Sequence, residues 1–280
     1  MEWWQSIILG IVEGVTEFLP ISSTGHLTVT EKLLGLPIDS PSVTAYTAII
    51  QIGAMIASIV YFRTDILRIA RAWFAGLRSA DARSDPDFNL GWAVIGGFAV
   101  TAVIALTLKD FVEGPFRNLW AIVVSLLAWS VVMWAGDRFG KQNRGEHTIT
   151  WKDGLILGAI QSISLVPGVS RSGATISGAM LLGIDRVTAT RLSFFLGIPT
   201  LVAAGGFQAV TQASDIAGAG GVGWAATLIG IVVSFFVAYA SIAWLLRYVA
   251  SNNFTWFIVY RVVLGLLIAA LLWQGTITAV

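Results

Sequence analysis

The sequence predicts an all-α polytopic membrane protein: one integral domain over residues 1–280, built as an inverted-topology repeat whose copies each hold one re-entrant helix hairpin plus three transmembrane helices. Three observations carry this reading. Of the 280 residues, 56% are hydrophobic and 12% charged, whereas soluble domains hold about 25% charged residues. The apolar residues fall into six unbroken stretches of spanning length and two broken ones. The two broken stretches align with each other at a constant offset of 148 residues.

The first broken stretch, near 3–36, is interrupted by Pro20 and Gly25, and spans follow near 42–62, 91–108 and 119–136. The second, near 152–184, is interrupted by Pro167, Gly168 and Gly173, and is followed by spans near 190–209, 224–246 and 254–274. Each unbroken stretch offers roughly 18 to 23 mostly apolar residues, enough to cross the hydrocarbon core. Proline removes a backbone donor and glycine admits unusual dihedrals, so each broken stretch reads as two short helices that enter and return on one side. The segments at 63–90 and 137–152 read as polar loops. Trp3, Trp4, Trp73, Trp92, Trp120, Trp151, Trp224 and Trp256 fall near segment ends, as interface anchors do. Met1-Glu2-Trp3-Trp4 lacks the basic stretch that opens a cleaved signal peptide, so the first segment is expected to be retained.

The offset pairs Ile7-Ile8-Leu9-Gly10 with Leu155-Ile156-Leu157-Gly158, Glu13 with Gln161, Ser22-Ser23-Thr24-Gly25 with Ser170-Arg171-Ser172-Gly173, and Leu33-Leu34-Gly35 with Leu181-Leu182-Gly183. Repeat one then covers about 3–136 and repeat two about 152–274. Three crossings per copy invert the second relative to the first, and the two hairpins are expected to meet near the midplane. Twelve cations, among them Arg63, Arg68, Arg71, Arg78, Arg83, Arg138, Arg144, Arg186, Arg191 and Arg247, fall on one side. Lys32, Lys109 and Arg117 fall on the other, so the positive-inside rule makes the first side cytoplasmic. The C-terminus is then outside, the first hairpin opens to the exterior and the second to the cytoplasm. Arg171 and Arg261 remain at membrane depth.

A net charge of +1, with cations spread among loops, excludes a nucleic-acid partner. The absence of cysteine excludes disulfides, thiolate nucleophiles and zinc-thiolate sites. Ionisable groups inside apolar segments are costly and mark function. Glu13 and Glu17 lie one helical turn apart on one face. Such a pair can hold a hard divalent cation, Mg²⁺ or Ca²⁺, together with phosphate oxygens; one carboxylate can serve as a general base; or the pair can be hydrogen-bonded structure.

Ser22, Ser23, Thr24 and His26 follow Pro20 directly. Ser22 or Thr24 is expected to cap the next helix. Ser23 with His26 three residues on suggests an activated nucleophile, and His26 attacking phosphorus itself is the alternative. In PGVSRSGAT, Arg171 stands between Ser170 and Ser172 beside glycines, with Thr175 one turn on. A planar guanidinium at a helix N-terminus suits phosphate, while an arginine snorkelling or bridging to Glu13 or Glu17 is the structural reading. Gly10-x-x-x-Gly14 and Gly154-x-x-x-Gly158 read as close helix-packing faces, which also permit a homodimer. Gln51 reads as structural support, Arg261 as paired with a neighbouring helix, and His147 as a loop residue without a functional role.

EGVTEFLPISSTGH together with PGVSRSGAT resembles the undecaprenyl-diphosphate phosphatase family of the bacitracin-resistance type, across nearly the whole chain. The resemblance implies a multi-pass enzyme of the bacterial inner membrane, its site open to the periplasmic face. It would take the terminal phosphate from the C55 polyprenyl diphosphate carrier used in cell-wall synthesis. It puts the family's acidic motif on Glu13 and Glu17, its serine and histidine on Ser23 and His26, and its phosphate-binding arginine and hydroxyl on Arg171 and Ser170. Thr24 and Thr175 match flanking motif positions. Inverted repeats with broken helices also describe secondary transporters, so a polyprenyl-phosphate or anion transporter is the alternative.

Overall fold

The computed structural model describes residues 1–37, 40–113, 118–212, 215–216, 222–275 and 277, with the side chains of 109–113 left out. The Lys109 side chain and Arg117, two cations assigned to the exterior above, lie outside the described residues. Among the described residues the chain forms eleven α-helices, short 3-10 turns and no strand beyond an isolated Arg144–Ile184 bridge. They are α1 Trp3–Thr16, α2 Ser23–Leu33, α3 Pro41–Tyr61, α4 Arg63–Arg78, α5 Pro86–Glu113, α6 Leu119–Phe139, α7 Trp151–Ser162, α8 Arg171–Leu181, α9 Arg186–Thr211, α10 Trp224–Val249 and α11 Thr255–Trp273.

Six helices, α3, α5, α6, α9, α10 and α11, are long and apolar enough to cross a membrane, so this is a multi-pass membrane protein. They are the six expected spans, with ends moved by a few residues. Helix α9 contains Pro199, whose ring removes a backbone donor in mid-helix. The 63–90 segment differs from its reading as a loop: α4 fills most of it, followed by a 3-10 turn at Asp81–Ser84. Five arginines disguised its helical spacing. Ile69 and Gly76 face inward, while Leu67, Phe74 and Leu77 are exposed beside Arg63, Arg71 and Arg78. That is the profile of a helix lying in a membrane interface.

The chain divides into two compact units. One comprises Met1–Leu19, Ser23–Phe62 and Ile198–Leu245. Its core gathers Leu9, Leu27, Tyr46, Ile49 and Ile50 from α1, α2 and α3, and Tyr46 donates its hydroxyl to the Ser6 carbonyl at 3.2 Å. The glycine face of α1 packs on α10: a Cβ at Gly10 or Gly14 would stand 2.8 Å from the Gly230 or Ser234 carbonyl oxygen.

The other unit comprises Pro20–Ser22, Arg63–Gly197 and Leu246–Val280. Here α7 packs on α5 in the same manner, since a Cβ at Gly158 would lie 2.7 Å from the Gly97 Cα. Thr101 donates to the Gly158 carbonyl and accepts from the Gln161 amide, each at 3.0 Å. Arg68 and Arg191 both bridge Asp65 and Glu146, a closed ring to which Asp87 adds a further contact with Arg68. Against the penalty of burial, Asp87 and Glu146 hold the Arg68 guanidinium above its ordinary value. Asp153 does the same for Arg144 through bonds of 2.9 and 2.7 Å.

Candidate functional site

The candidate residues fall on the two helix breaks. Helix α1 ends at Thr16 because Pro20 cannot supply the amide that would continue its ladder. Glu13 is fully buried on its last turn and Glu17 nearly so at its C-terminal cap, where the Glu17 amide donates to the Glu13 carbonyl at 3.0 Å. Two carboxylates one turn apart are thus withdrawn from solvent. The Ser23 hydroxyl donates to Glu17 Oε2 at 2.8 Å. It is therefore to Glu17, not to His26, that the Ser23 proton points. His26 lies in the first turn of α2, half-buried, and Thr24 beside it is exposed. Glu13, Glu17, Ser23, Thr24 and His26 all belong to the first compact unit.

Ser22 belongs to the second unit, as do Ser170, Arg171, Ser172 and Thr175. The 3-10 turn Ile163–Leu165 extends α7 into its break, and Gly168, with φ of +95°, turns the chain where a Cβ would press on Ile122. Ser170 caps α8, its hydroxyl accepting from the Gly173 amide at 3.2 Å and lying 3.1 Å from the Ser172 hydroxyl. Thr175, fully buried, donates to the Arg171 carbonyl at 3.0 Å. Arg171 is the first residue of α8, at a helix N-terminus whose leading amides carry partial positive charge.

The break loops share one backbone feature. Ser22 has φ of +76° and Ser170 +75°, a left-handed conformation rare outside glycine and typical of strained functional turns. These two serines are separated by the 148-residue offset, as are Gly35 and Gly183, with φ of +70° and +84°.

One residue of consequence escaped sequence reasoning, and a second, expected to pair with a neighbouring helix, does so with Ser125 and Ser130 of α6 but reaches further. Gly197 on α9 makes room for Arg171: a Cβ there would overlap the guanidinium, 2.8 Å from its Cζ. The only available signal was a small residue amid a bulky span. Arg261 on α11 is fully buried, and donates to backbone carbonyls of both breaks. Its presence at membrane depth was legible, but carbonyl acceptors leave no trace in a sequence.

No group of three or more His, Asp or Glu residues suited to a metal ion occurs among the described residues. Magnesium, however, dehydrates reluctantly and is held by one or two carboxylates plus substrate phosphates. The buried oxygens of Glu13 and Glu17 fit that donor set. Chemically, the first break offers a hydroxyl paired with a carboxylate beside an imidazole, and the second offers a guanidinium and hydroxyls at a helix start. Those groups suit nucleophilic displacement and anion binding.

Comparison with known proteins agrees over the whole chain. The undecaprenyl-diphosphatase of Cutibacterium acnes is 52% identical over 284 aligned positions, covering 100% of both chains. Undecaprenyl-diphosphatase 3 of Frankia casuarinae is 50% identical over 275 positions, and undecaprenyl-diphosphatase 1 of Streptomyces avermitilis 48% over 275, each covering 98% of both chains. The family model described as bacitracin resistance protein BacA matches residues 6–267, and the chain belongs to that family.

Proposed function

We propose that this protein hydrolyses undecaprenyl diphosphate to undecaprenyl phosphate and inorganic phosphate at the bacterial membrane. Full-length similarity to undecaprenyl-diphosphatases supports the substrate. The observation that carries the chemistry is the Ser23 hydroxyl donating to Glu17 Oε2 at 2.8 Å. A transporter needs groups that bind its cargo, but has no use for a hydroxyl poised to give its proton to a carboxylate.

In this reading Ser23 Oγ attacks the terminal phosphorus and its proton passes to Glu17. The bond to the bridging oxygen breaks, and undecaprenyl phosphate departs with that electron pair. Water then cleaves the phosphoserine ester, releasing phosphate and restoring the hydroxyl, with His26 as the base that deprotonates the water. Arg171 binds phosphate oxygens through its planar fork, helped by the Ser170 and Ser172 hydroxyls and the α8 amides. Thr175 holds the first turn of α8 in place through the Arg171 carbonyl; Ser22 and Thr24 shape the first break. Glu13, with the remaining oxygen of Glu17, would hold Mg²⁺ or Ca²⁺, which when bound supplies charge neutralisation to the diphosphate.

The proposed topology has both breaks re-entrant and the two repeats inverted, with the reaction open to the periplasmic face. It is supported by the cation distribution and by the paired left-handed serines. Hydrolysis in detergent tests the roles. Arg171→Ala and Glu17→Ala should each lower turnover by about 10³-fold or more while the protein stays folded; near-normal rates would refute them. Magnesium should raise the unfolding temperature of the native protein but not of Glu13→Gln, and equal shifts in both would remove the cation from Glu13.

A further inference from the structure

We infer that Arg261 is a positioning residue for the phosphatase reaction, one guanidinium that fixes the backbone of both helix breaks and thereby the groups they carry. The inference rests on the hydrolytic reading above, and it starts from an expensive burial. Arg261 is 0% exposed. Its acceptors are neutral: Nη1 donates to the Pro20 carbonyl at 3.3 Å, Nη2 to the carbonyls of Gly168 at 3.0 Å and Ser125 at 3.5 Å, and Nε to the Ser130 hydroxyl at 3.3 Å. Desolvating an arginine costs several kcal/mol, which an apolar side chain of similar volume would avoid. Packing therefore gives no reason for it.

The breaks do give one. Where a helix stops inside an apolar bundle its last carbonyls lose their intrahelical donors, and water is not at hand to replace them. Arginine brings five donors in a rigid fork, so a single side chain can serve carbonyls from several segments. Pro20 and Gly168 stand at the same point of their breaks, 148 residues apart. Two residues beyond each held carbonyl comes a serine with φ near +75°, Ser22 or Ser170. Next in the chain come Ser23 and Arg171.

Left-handed non-glycine residues cost about 1–3 kcal/mol each and persist only where their surroundings over-determine them. Arg261 supplies that constraint to both breaks from one rigid point on α11. Ser130 helps to orient the fork by accepting from Nε.

Arg261→Lys keeps the charge and loses the fork. The test measures kcat and KM for detergent-solubilised protein on undecaprenyl diphosphate, thermal unfolding, and amide hydrogen exchange in peptides covering 19–23 and 167–171. We expect kcat to fall roughly 30-fold or more with KM within about threefold of the native value, as misplacement of reacting groups predicts. Both breaks should lose exchange protection together while α3 and α10 keep theirs. A kcat within about threefold of native, or loosening of one break alone, overturns the inference. Should Arg261→Lys fail to fold, Ser130→Ala decides: a fall in kcat at unchanged unfolding temperature supports it, and an unchanged kcat overturns it. Native protein that fails to hydrolyse the lipid would sink the hydrolytic reading instead, and the exchange pattern would still judge the clamp.

Discussion

Gly197→Ala adds one methyl group against the guanidinium that the proposed mechanism depends on. The new Cβ would lie 2.8 Å from Arg171 Cζ and 3.3 Å from Nη2, and closer still to Nη1. Ordinary carbon contacts need about 3.5–4.0 Å, so the guanidinium must retreat by about 1 Å. Folding should tolerate this. The obstructing atoms are the far end of a flexible side chain, and alanine is about 1 kcal/mol better than glycine inside a helix. Catalysis should not tolerate it, because a displacement of about 1 Å at a charge-binding group costs about 100-fold, or roughly 2.7 kcal/mol of transition-state stabilisation. The expected signature is an unfolding temperature that holds or rises while kcat collapses. Gly206→Ala in the same helix meets no atom within 4 Å and serves as the neutral control. If Gly197→Ala turns over at the native rate while Arg171→Ala does not, Arg171 acts from another position and the reasoning fails.

Gly53→Ala drives a Cβ into the Ile231 carbonyl and to 2.9 Å from the Phe235 amide; backbone cannot yield as a side chain does, so thermal unfolding should show a loss of about 1–3 kcal/mol. Glu146→Gln weakens both its bonds, 2.6 Å to Arg68 and 2.7 Å to Arg191, and should cost about 1 kcal/mol at low salt; because the ring is partly solvated, the difference from native should shrink at about 0.5 M salt. The chain has no cysteine, so single cysteines report topology cleanly. Ser79→Cys should react with an impermeant maleimide from the cytoplasmic side only and Ser40→Cys from the exterior only; labelling of both from one side would overturn the proposed orientation.

The spans were legible because burial in lipid demands a composition that nothing else in the chain imitates. The breaks were legible for a related reason: Pro20, Pro167 and Gly168 interrupt runs that would otherwise cross. Helix α4 was not, because its five-arginine segment looks like solvated loop until the inward positions Ile69 and Gly76 are seen to share a face. Side-chain identity marked the candidate residues, yet not which atoms would pair. Spacing pointed Ser23 at His26, whereas the geometry at the α1 terminus pairs its hydroxyl with the Glu17 carboxylate. Ser22 and Ser170 carried no hint of left-handed backbone, since the usual signal is glycine. Gly197 and Arg261 act on atoms distant in sequence, a guanidinium and two carbonyls, which no local pattern encodes.

The length of the short helices explains why so much support surrounds the breaks. Helix α1 has 14 residues and α7 has 12, rises of about 21 and 18 Å, against a hydrocarbon core of about 30 Å. Neither is long enough to cross by itself, and each is followed by the break that interrupts it. The glycine faces anchor the two helices first, α1 on Gly230 and Ser234 of α10, α7 on Ala93 and Gly97 of α5, at distances that any side chain would prohibit. With α1 and α7 held by backbone contact, Arg261 can satisfy Pro20 and Gly168, and Ser170 can cap α8. A reaction on a lipid diphosphate gains from this arrangement, because the head group can be met by oriented dipoles and fixed charge without the polyprenyl tail leaving the bilayer. An order of sensitivity follows: alanine at Gly10, Gly14, Gly154 or Gly158 should lower the unfolding temperature, whereas loss of the Arg261 fork should leave the protein folded with its reacting groups out of place.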